Sequence, residues 1–586
     1  MDLANSGDPI IFLTFLIDAL FGILATVLIK KIFAKQNTFL VIPFLVSTFA
    51  IVVLLFFYLN DSTTIANVWL NSHKNTPLLY KIAGIWGNHE GSMLLFYTFM
   101  TMWSALLLRQ TDAIRLSSFV LLAIGSYLYL QANPFEILAI KATTGQDLNP
   151  ALQNPYLAIH PPILYAGQTL CFVLWIWACI IPEHPRVHFY TRVCFGLITL
   201  GLILGARWAY GELGWGGFWF WDPVETISLF PWLVIAAAVH ASKYSPFIYR
   251  LCLLLSFPMV MLGMTLVRSG VLVSVHSFGF DLHNGIWLGG CTLAVCAISI
   301  ICIIANPQQE RSDSEDIFKT LIPLGFLCIL AVLCILILGP VILKTCFTID
   351  MAVDENFFHQ YINPCLLILL IFAGLAPRMI VHRWSFLSAI LSTAVWCLLI
   401  QPYFHLFAAW AALVGFWLIL TTMNFVKQIL KRGFISAHLG VGLCILGASH
   451  SEIFTLKQEL NTLQLPKTFA SHTIRYRSQD VIEAPQVTRE IVTLLVDSKL
   501  LKPERQHFHI SKVTKHQPAW INMGLDHIHA TAFVDGNGWK VEMITKPFIN
   551  LFWIGLVFIL LGIFVSIVSF FKKSINEISK RHLSKE

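Results

Sequence analysis

Residues 189–242 read FYTRVCFGLITLGLILGARWAYGELGWGGFWFWDPVETISLFPWLVIAAAVHAS, and this stretch decides the architecture. Its two apolar runs, 189–209 and 226–242, each approach the ~20 residues a helix needs to cross the hydrocarbon of a bilayer. Between them Gly211, Gly214, Gly216 and Gly217 break the pattern. Trp215, Trp219 and Trp221 then crowd together before Asp222 and Glu225. An interfacial belt scatters such residues, one or two per helix end. Here they share one loop whose glycines let the backbone approach something flat and large. A planar aromatic ligand is the economical explanation.

Comparable runs recur along the 586 residues, at 9–30, 38–59, 91–108, 115–131, 162–182, 189–209, 226–242, 247–267, 284–304, 318–343, 357–376, 383–400, 404–424, 435–449 and 548–571. Hydrophobic residues make up 57% of the chain and charged ones 12%, with mean hydropathy +0.72, which excludes a water-soluble globule. The expected fold is an all-α polytopic membrane protein of about 15 transmembrane helices. The first run is too long for a signal peptide's core and lacks a basic start, so no cleavable signal is expected.

Every second connector is basic: Lys30, Lys31 and Lys35; Arg109 and Arg115; Arg186 and Arg192; Lys243 and Arg250; Arg311 and Lys319; Arg378 and Arg383; Lys427, Lys431 and Arg432. The tail adds Lys572, Lys573, Lys580, Arg581 and Lys585. By the positive-inside rule these face the cytoplasm, which puts the N-terminus outside and the C-terminus inside. The net charge of +7 thus reports topology, and no nucleic-acid partner is expected. The surroundings are membrane lipid. Thirteen cysteines without a Cys-x-x-Cys read as small core hydrophobes.

Residues 1–449 form the helical domain, with outer loops at 60–90, 132–161, 210–225 and 268–283. Residues 450–547 are polar and carry charges of both signs. Alternation over 527–545, interrupted at Asp535-Gly536-Asn537-Gly538, reads as a β-hairpin, so a small, mainly β periplasmic domain is expected there. Residues 548–586 are the final helix and a basic cytoplasmic tail.

Two histidines sit in apolar runs: His240 near the inner end of the seventh, His438 near the start of the fourteenth. Their helices run in opposite directions, yet both histidines fall in the cytoplasmic half of the bilayer. Equal depth is what two axial ligands of one b-type haem require. The alternative is that each hydrogen-bonds a neighbouring helix. His160 and His276 flank the tryptophan loop from the two adjacent outer loops; they are either a second axial pair or solvated loop residues. Arg207 and Arg268 are cations on outer ends, suited to haem propionates, or else snorkelling residues. His89-Glu90 is no metalloprotease start, because Met93 stands where the second histidine belongs. The pairs His507 and His509, and His527 and His529, alternate along expected strands and read as exposed strand-face histidines rather than a metal site.

Together the tryptophan loop and these histidines resemble the tryptophan-rich haem-handling membrane proteins, in particular the CcmF-type haem lyases of bacterial cytochrome c maturation. Further strings carry the likeness: Leu79-Tyr80-Lys81-Ile82-Ala83, Trp86-Gly87-Asn88-His89-Glu90-Gly91-Ser92, Ala158-Ile159-His160-Pro161-Pro162, Arg268-Ser269-Gly270 and Lys546-Pro547-Phe548. The resemblance implies a haem lyase of the bacterial inner membrane. His160 and His276 would ligate substrate haem on a shelf of Trp215, Gly216, Gly217, Trp219, Trp221 and Asp222, and His240 and His438 would hold a resident haem b. It also implies quinol as electron source, a periplasmic haem chaperone, a thiol-handling membrane partner and apocytochrome c. Phe218 and Thr226 depart from the family's Trp and Asn, which puts the hydrogen bonding at the helix start in doubt. Two further readings are a lyase dedicated to a multihaem nitrite reductase, and a transporter or scaffold without haem. A transporter needs intramembrane charge, and only Asp18 is clearly buried in the runs.

Overall fold

A computed structural model describes residues 38–139, 142–213, 217–242, 244–272, 274, 282–305, 317–349, 355–375, 383–399, 405–423, 432–535 and 538–583. The run 9–30 with Asp18, and Trp215, Gly216 and His276, lie outside the described residues. Among the described residues fourteen long helices follow one another: α1 (Thr38–Leu59), α2 (His89–Leu107), α3 (Thr111–Leu130), α4 (Pro155–Ile180), α5 (Val187–Glu212), α6 (Pro223–Ala241), α7 (Pro246–Arg268), α8 (Leu282–Ala305), α9 (Ile317–Phe347), α10 (Glu355–Leu375), α11 (Arg383–Leu399), α12 (Leu406–Met423), α13 (Arg432–Ile453) and α14 (Ile549–Leu583). Eleven of them are long and apolar enough to cross a membrane; α2, α10 and α11 fall at three other expected positions. The chain forms two compact units, Met1–Leu204 with Phe220–Leu366, and Gly205–Trp219 with Leu367–Glu586.

In the first unit α4 is buried on every side from Leu170 to Ala178, as a helix apolar all round must be. Its Trp175 Nε1 donates to Ser299 Oγ of α8 at 2.8 Å. Arg250, expected in a basic connector, is buried. Its guanidinium donates to the Ala178 and Cys302 carbonyls, both at 3.1 Å. These are orphan carbonyls in the last turns of α4 and α8, so one cation caps two helices.

In the second unit α13 and α14 approach through glycines spaced by seven, Gly433, Gly440 and Gly447 facing Gly555 and Gly562. A Cβ on Gly440 would lie 2.4 Å from the Gly555 carbonyl oxygen, and one on Gly447 would lie 2.2 Å from Phe552 N. Neither backbone can yield, so only glycine fits. Ser436 Oγ adds a bond to the Phe558 carbonyl at 2.8 Å. Close backbone approach of this kind is how membrane helices associate without a hydrophobic drive.

Between α13 and α14 lie ten strands: β1 (Leu456–Asn461), β2 (Lys467–Phe469), β3 (His472–Glu483), β4 (Val487–Val496), β5 (Lys499–Leu501), β6 (Glu504–Phe508), β7 (Thr514–Gln517), β8 (Ala519–Met523), β9 (Asp526–Asp535) and β10 (Gly538–Lys546). They form a four-stranded sheet, β1-β10-β9-β8, and a six-stranded one, β2-β3-β4-β6-β7 with β5 beside β4. The expected hairpin is β9–β10, closing at Asp535↔Gly538. Both sheets contribute to one core, with Leu494, Val492 and Ile474 from one and Ala530, Val541 and Met543 from the other.

His527 and His529 correct the expectation of exposed strand histidines, because both are buried in β9. Burial holds His529 down to about 3, with His527, Lys546 and Arg207 adding like charge. It holds His527 down to about 4, against a raising bond from Asn550 and a lowering charge from Arg207. Both values lie below the ordinary 6.5, so the unfolded chain takes up protons first as pH falls. The contribution of these residues is complete above about 6.5 and fades toward pH 4 and then 3. Thermal unfolding of the purified chain, followed by tryptophan fluorescence, should therefore drop over that window. His529→Leu should flatten the dependence.

Candidate functional site

His160 lies on a helix, which corrects its placement in the loop 132–161. Asn154 caps α4 by accepting from Tyr156 N at 2.8 Å, Pro155 opens it, and the helix runs on through Pro161 and Pro162. A proline inside a helix leaves the carbonyl four residues back without its donor. Pro162 so frees the Ala158 carbonyl, and Trp86 Nε1 donates to it at 3.1 Å. The His160 ring is fixed from α5, its Nδ1 lying 2.7 Å from the Gly201 carbonyl. A carbonyl only accepts, so Nδ1 carries the proton and Nε2 the lone pair.

The Trp86–Ser92 string builds the frame for that contact. Asn88 caps α2, accepting from Gly91 N at 2.7 Å and donating to the Gly84 carbonyl at 2.7 Å. A Cβ on Gly91 would sit 1.6 Å from the Ile85 carbonyl oxygen, so no other residue fits. Arg268, the second candidate propionate ligand, has other partners. It is 2% exposed and donates to the His89 carbonyl at 2.7 Å and Ser92 Oγ at 2.8 Å. Its geometry is that of a brace between α7 and α2.

The tryptophan loop divides between the units. In the first, half-buried Trp221 stacks on Phe358 of α10, centroids 5.6 Å apart and planes 7° apart. Its φ of +55 is a left-handed conformation that costs a non-glycine residue energy, a strain typical of functional positions. Asp222 then caps α6, accepting from Val224 N at 3.0 Å and Glu225 N at 3.4 Å, and also from Ser274 Oγ at 2.7 Å. Glu225 reaches back to Phe220 N at 3.0 Å. The helix start is therefore fully capped with Thr226 in place. In the second unit Phe218 stacks on Phe552 at 4.0 Å. The Arg207 guanidinium lies 4.7 Å from the centroid of Trp520, among Tyr210 and Trp553.

His240 and His438 belong to different units, but each is held in the same way. His240 Nδ1 is 2.8 Å from the Ala236 carbonyl, and its ring lies 5.3 Å from Phe326 of α9. His438 Nδ1 is 2.9 Å from the Phe434 carbonyl. In both the proton is fixed on Nδ1 and the lone pair on Nε2, the form an imidazole needs to bind iron. His450 makes the same backbone bond, to Leu446, but its Nε2 accepts from Trp396 Nε1 at 2.8 Å. That nitrogen is taken. Sequence alone singled out His240 and His438 by depth; the rings Phe326 and Phe358 carried no signal there.

Residues 86–272 match the family described as cytochrome C assembly protein. The chain is 39% identical to the cytochrome c-type biogenesis protein CycK of Rhizobium meliloti (strain 1021) over 268 residues, which cover 42% of this chain and only 40% of that protein. It is 27% identical to CcmF of Escherichia coli (strain K12) over 91% of each chain. It is also 27% identical to NrfE of Haemophilus influenzae (strain ATCC 51907 / DSM 11121 / KW20 / Rd), over 90% of this chain and 92% of that one. A solved structure, "Cytochrome c Heme Lyase CcmF", shares the fold with TM-score 0.78 and 17% identity, covering 95% of this chain and 96% of that one.

Proposed function

We propose that this chain, whose residues 86–272 match the cytochrome C assembly family and which aligns with CcmF and NrfE over nine-tenths of its length, is a CcmF/NrfE-type cytochrome c biogenesis protein that attaches haem covalently to apocytochrome c. Haem arriving from a periplasmic chaperone would take His160 and His276 as axial ligands, with Trp215, Trp219 and Trp221 against its face. The observation that carries this reading is the seat of His160, a tautomer fixed by α5 on a turn that Trp86 closes.

The chemistry is an addition. A cysteine S–H of a Cys-x-x-Cys-His segment crosses the vinyl C=C: sulfur bonds one carbon, the proton goes to the other, and nothing leaves. No nucleophile is required of this chain. Its contribution is to hold the vinyl edge for a thiol brought by a thiol-handling partner, and such positioning can be worth roughly 7–11 kcal/mol of barrier. A resident haem b on His240 and His438 fits the two fixed tautomers. When bound it would supply electrons, from quinol, that keep the substrate iron reduced.

The direct test is complementation. In cells deleted for their own lyase, this chain should restore haem that stays on a Cys-x-x-Cys-His cytochrome through a denaturing gel. Restoration of a multihaem nitrite reductase alone would shift the reading to the NrfE type, and no covalent haem on either would refute it. For topology, Gln479→Cys, exposed on β3, should be labelled in intact cells by a reagent that cannot cross the inner membrane. Labelling only after that membrane is breached would reverse the orientation.

A further inference from the structure

The last two turns of α5, which lead into the tryptophan loop, are gripped by the β domain at Tyr210, Gly211 and Glu212. Tyr210 is fully buried, and its hydroxyl lies 2.8 Å from His527 Nδ1. His527 Nε2 lies 2.9 Å from Asn550 Oδ1, while Asn550 Nδ2 donates to the Gly524 carbonyl at 2.6 Å. Asn550 Oδ1 can only accept, so the proton of His527 is on Nε2 and its Nδ1 accepts from Tyr210. The chain of bonds has one direction, from Tyr210 through His527 to Asn550.

Other contacts fix the same helix end. Gln517 Nε2 donates to the Gly211 carbonyl at 3.1 Å, one of the four orphan acceptors at the C-terminus of α5. Glu212 puts a negative charge where the helix dipole opposes it, and Lys515 of β7 pairs with it out of solvent. Arg207 lies on Trp520 of β8. Beyond the helix, Phe218 stacks on Phe552.

We infer that the β domain is the positioning device of the tryptophan loop, with His527 and Lys515 as positioning residues for haem attachment. This rests on the proposed role of the loop. A helix end held at Tyr210, Gly211 and Glu212 gives the next residues one starting point and one direction. Small displacements of a positioned group are costly in rate, because orientation is most of what such a catalyst supplies.

The experiment uses the full chain in membranes, with apocytochrome varied and resident b-type absorption recorded alongside attachment. His527→Phe keeps the ring but loses both bonds. It should lower the maximal attachment rate about tenfold, leaving the apocytochrome concentration for half-maximal rate and the b-type absorption unchanged. His527→Gln, which offers an acceptor toward Tyr210 and a donor toward Asn550, should restore most of the rate. Lys515→Met should act in the same direction. A normal maximal rate in His527→Phe would overturn the inference. So would a raised half-maximal concentration at unchanged rate, which would make the β domain a docking surface. If His527→Phe also lost the b-type absorption, Tyr210→Phe, which removes one hydroxyl, decides: a maximal rate lowered about threefold supports the inference, an unchanged one overturns it. Normal attachment by a chain lacking the rings of Trp219 and Trp221 would instead mark failure of the underlying reading of the loop.

Discussion

Replacing either His240 or His438 with Ala is expected to abolish the b-type absorption of the purified protein, whereas His160→Ala or His276→Ala should keep that absorption and stop haem attachment. Each of the first pair presents a lone pair on Nε2 because Nδ1 is bonded to its own helix, at the Ala236 and Phe434 carbonyls. If the two histidines hold haem b together, removing either nitrogen would loosen its grip on the iron. The split follows from distance within α6. Eighteen residues separate the cap Asp222 from His240, about 27 Å at ~1.5 Å per residue, so one haem cannot use both ends of that helix. Exogenous imidazole should partly refill the cavity left at His240 or His438. Loss of the b-type absorption in His160→Ala with its survival in His438→Ala would require the pairs to be redrawn.

The second large effect is expected from Trp219→Ala combined with Trp221→Ala. Attachment should fall at least tenfold while the b-type absorption persists, since stacking on a flat ring system is worth about 1–3 kcal/mol per aromatic side chain. Trp221 needs a control because its backbone is strained, with φ +55. Trp221→Gly relieves that strain yet removes the ring. Equal loss in the Ala and Gly variants assigns the effect to the ring. Recovery with Gly would assign it to the backbone, and normal attachment by the double variant would remove the shelf from the mechanism.

The helical architecture was legible because crossing a bilayer needs about twenty apolar residues in a row, and runs such as 189–209 show that plainly. The β-hairpin expected over 527–545 was legible from alternation and its Asp-Gly-Asn-Gly turn, and the strands run Asp526–Asp535 and Gly538–Lys546. His160 was misplaced for a local reason: consecutive prolines usually end a helix, but Trp86 supplies the donor that lets α4 begin at Pro155. The brace that Arg268 makes was not legible, because its partners, His89 and Ser92, are distant in sequence. His527 and His529 alternate as any exposed strand face would, and nothing local shows that Tyr210 covers them. Long-range pairing carries no periodicity.

The glycine seam between α13 and α14 bears on the order in which the protein can be completed. α13 carries His438, but the surface it packs against, α14, is synthesised about a hundred residues later. Until α14 has inserted, the bare glycine face of α13 has no mate, and the histidine has no settled position. Resident haem would then be acquired only after α14 has docked. A polypeptide that stalls or is cut before Gly555 would be left without pigment, and colour would serve as the mark of a molecule that has closed this seam.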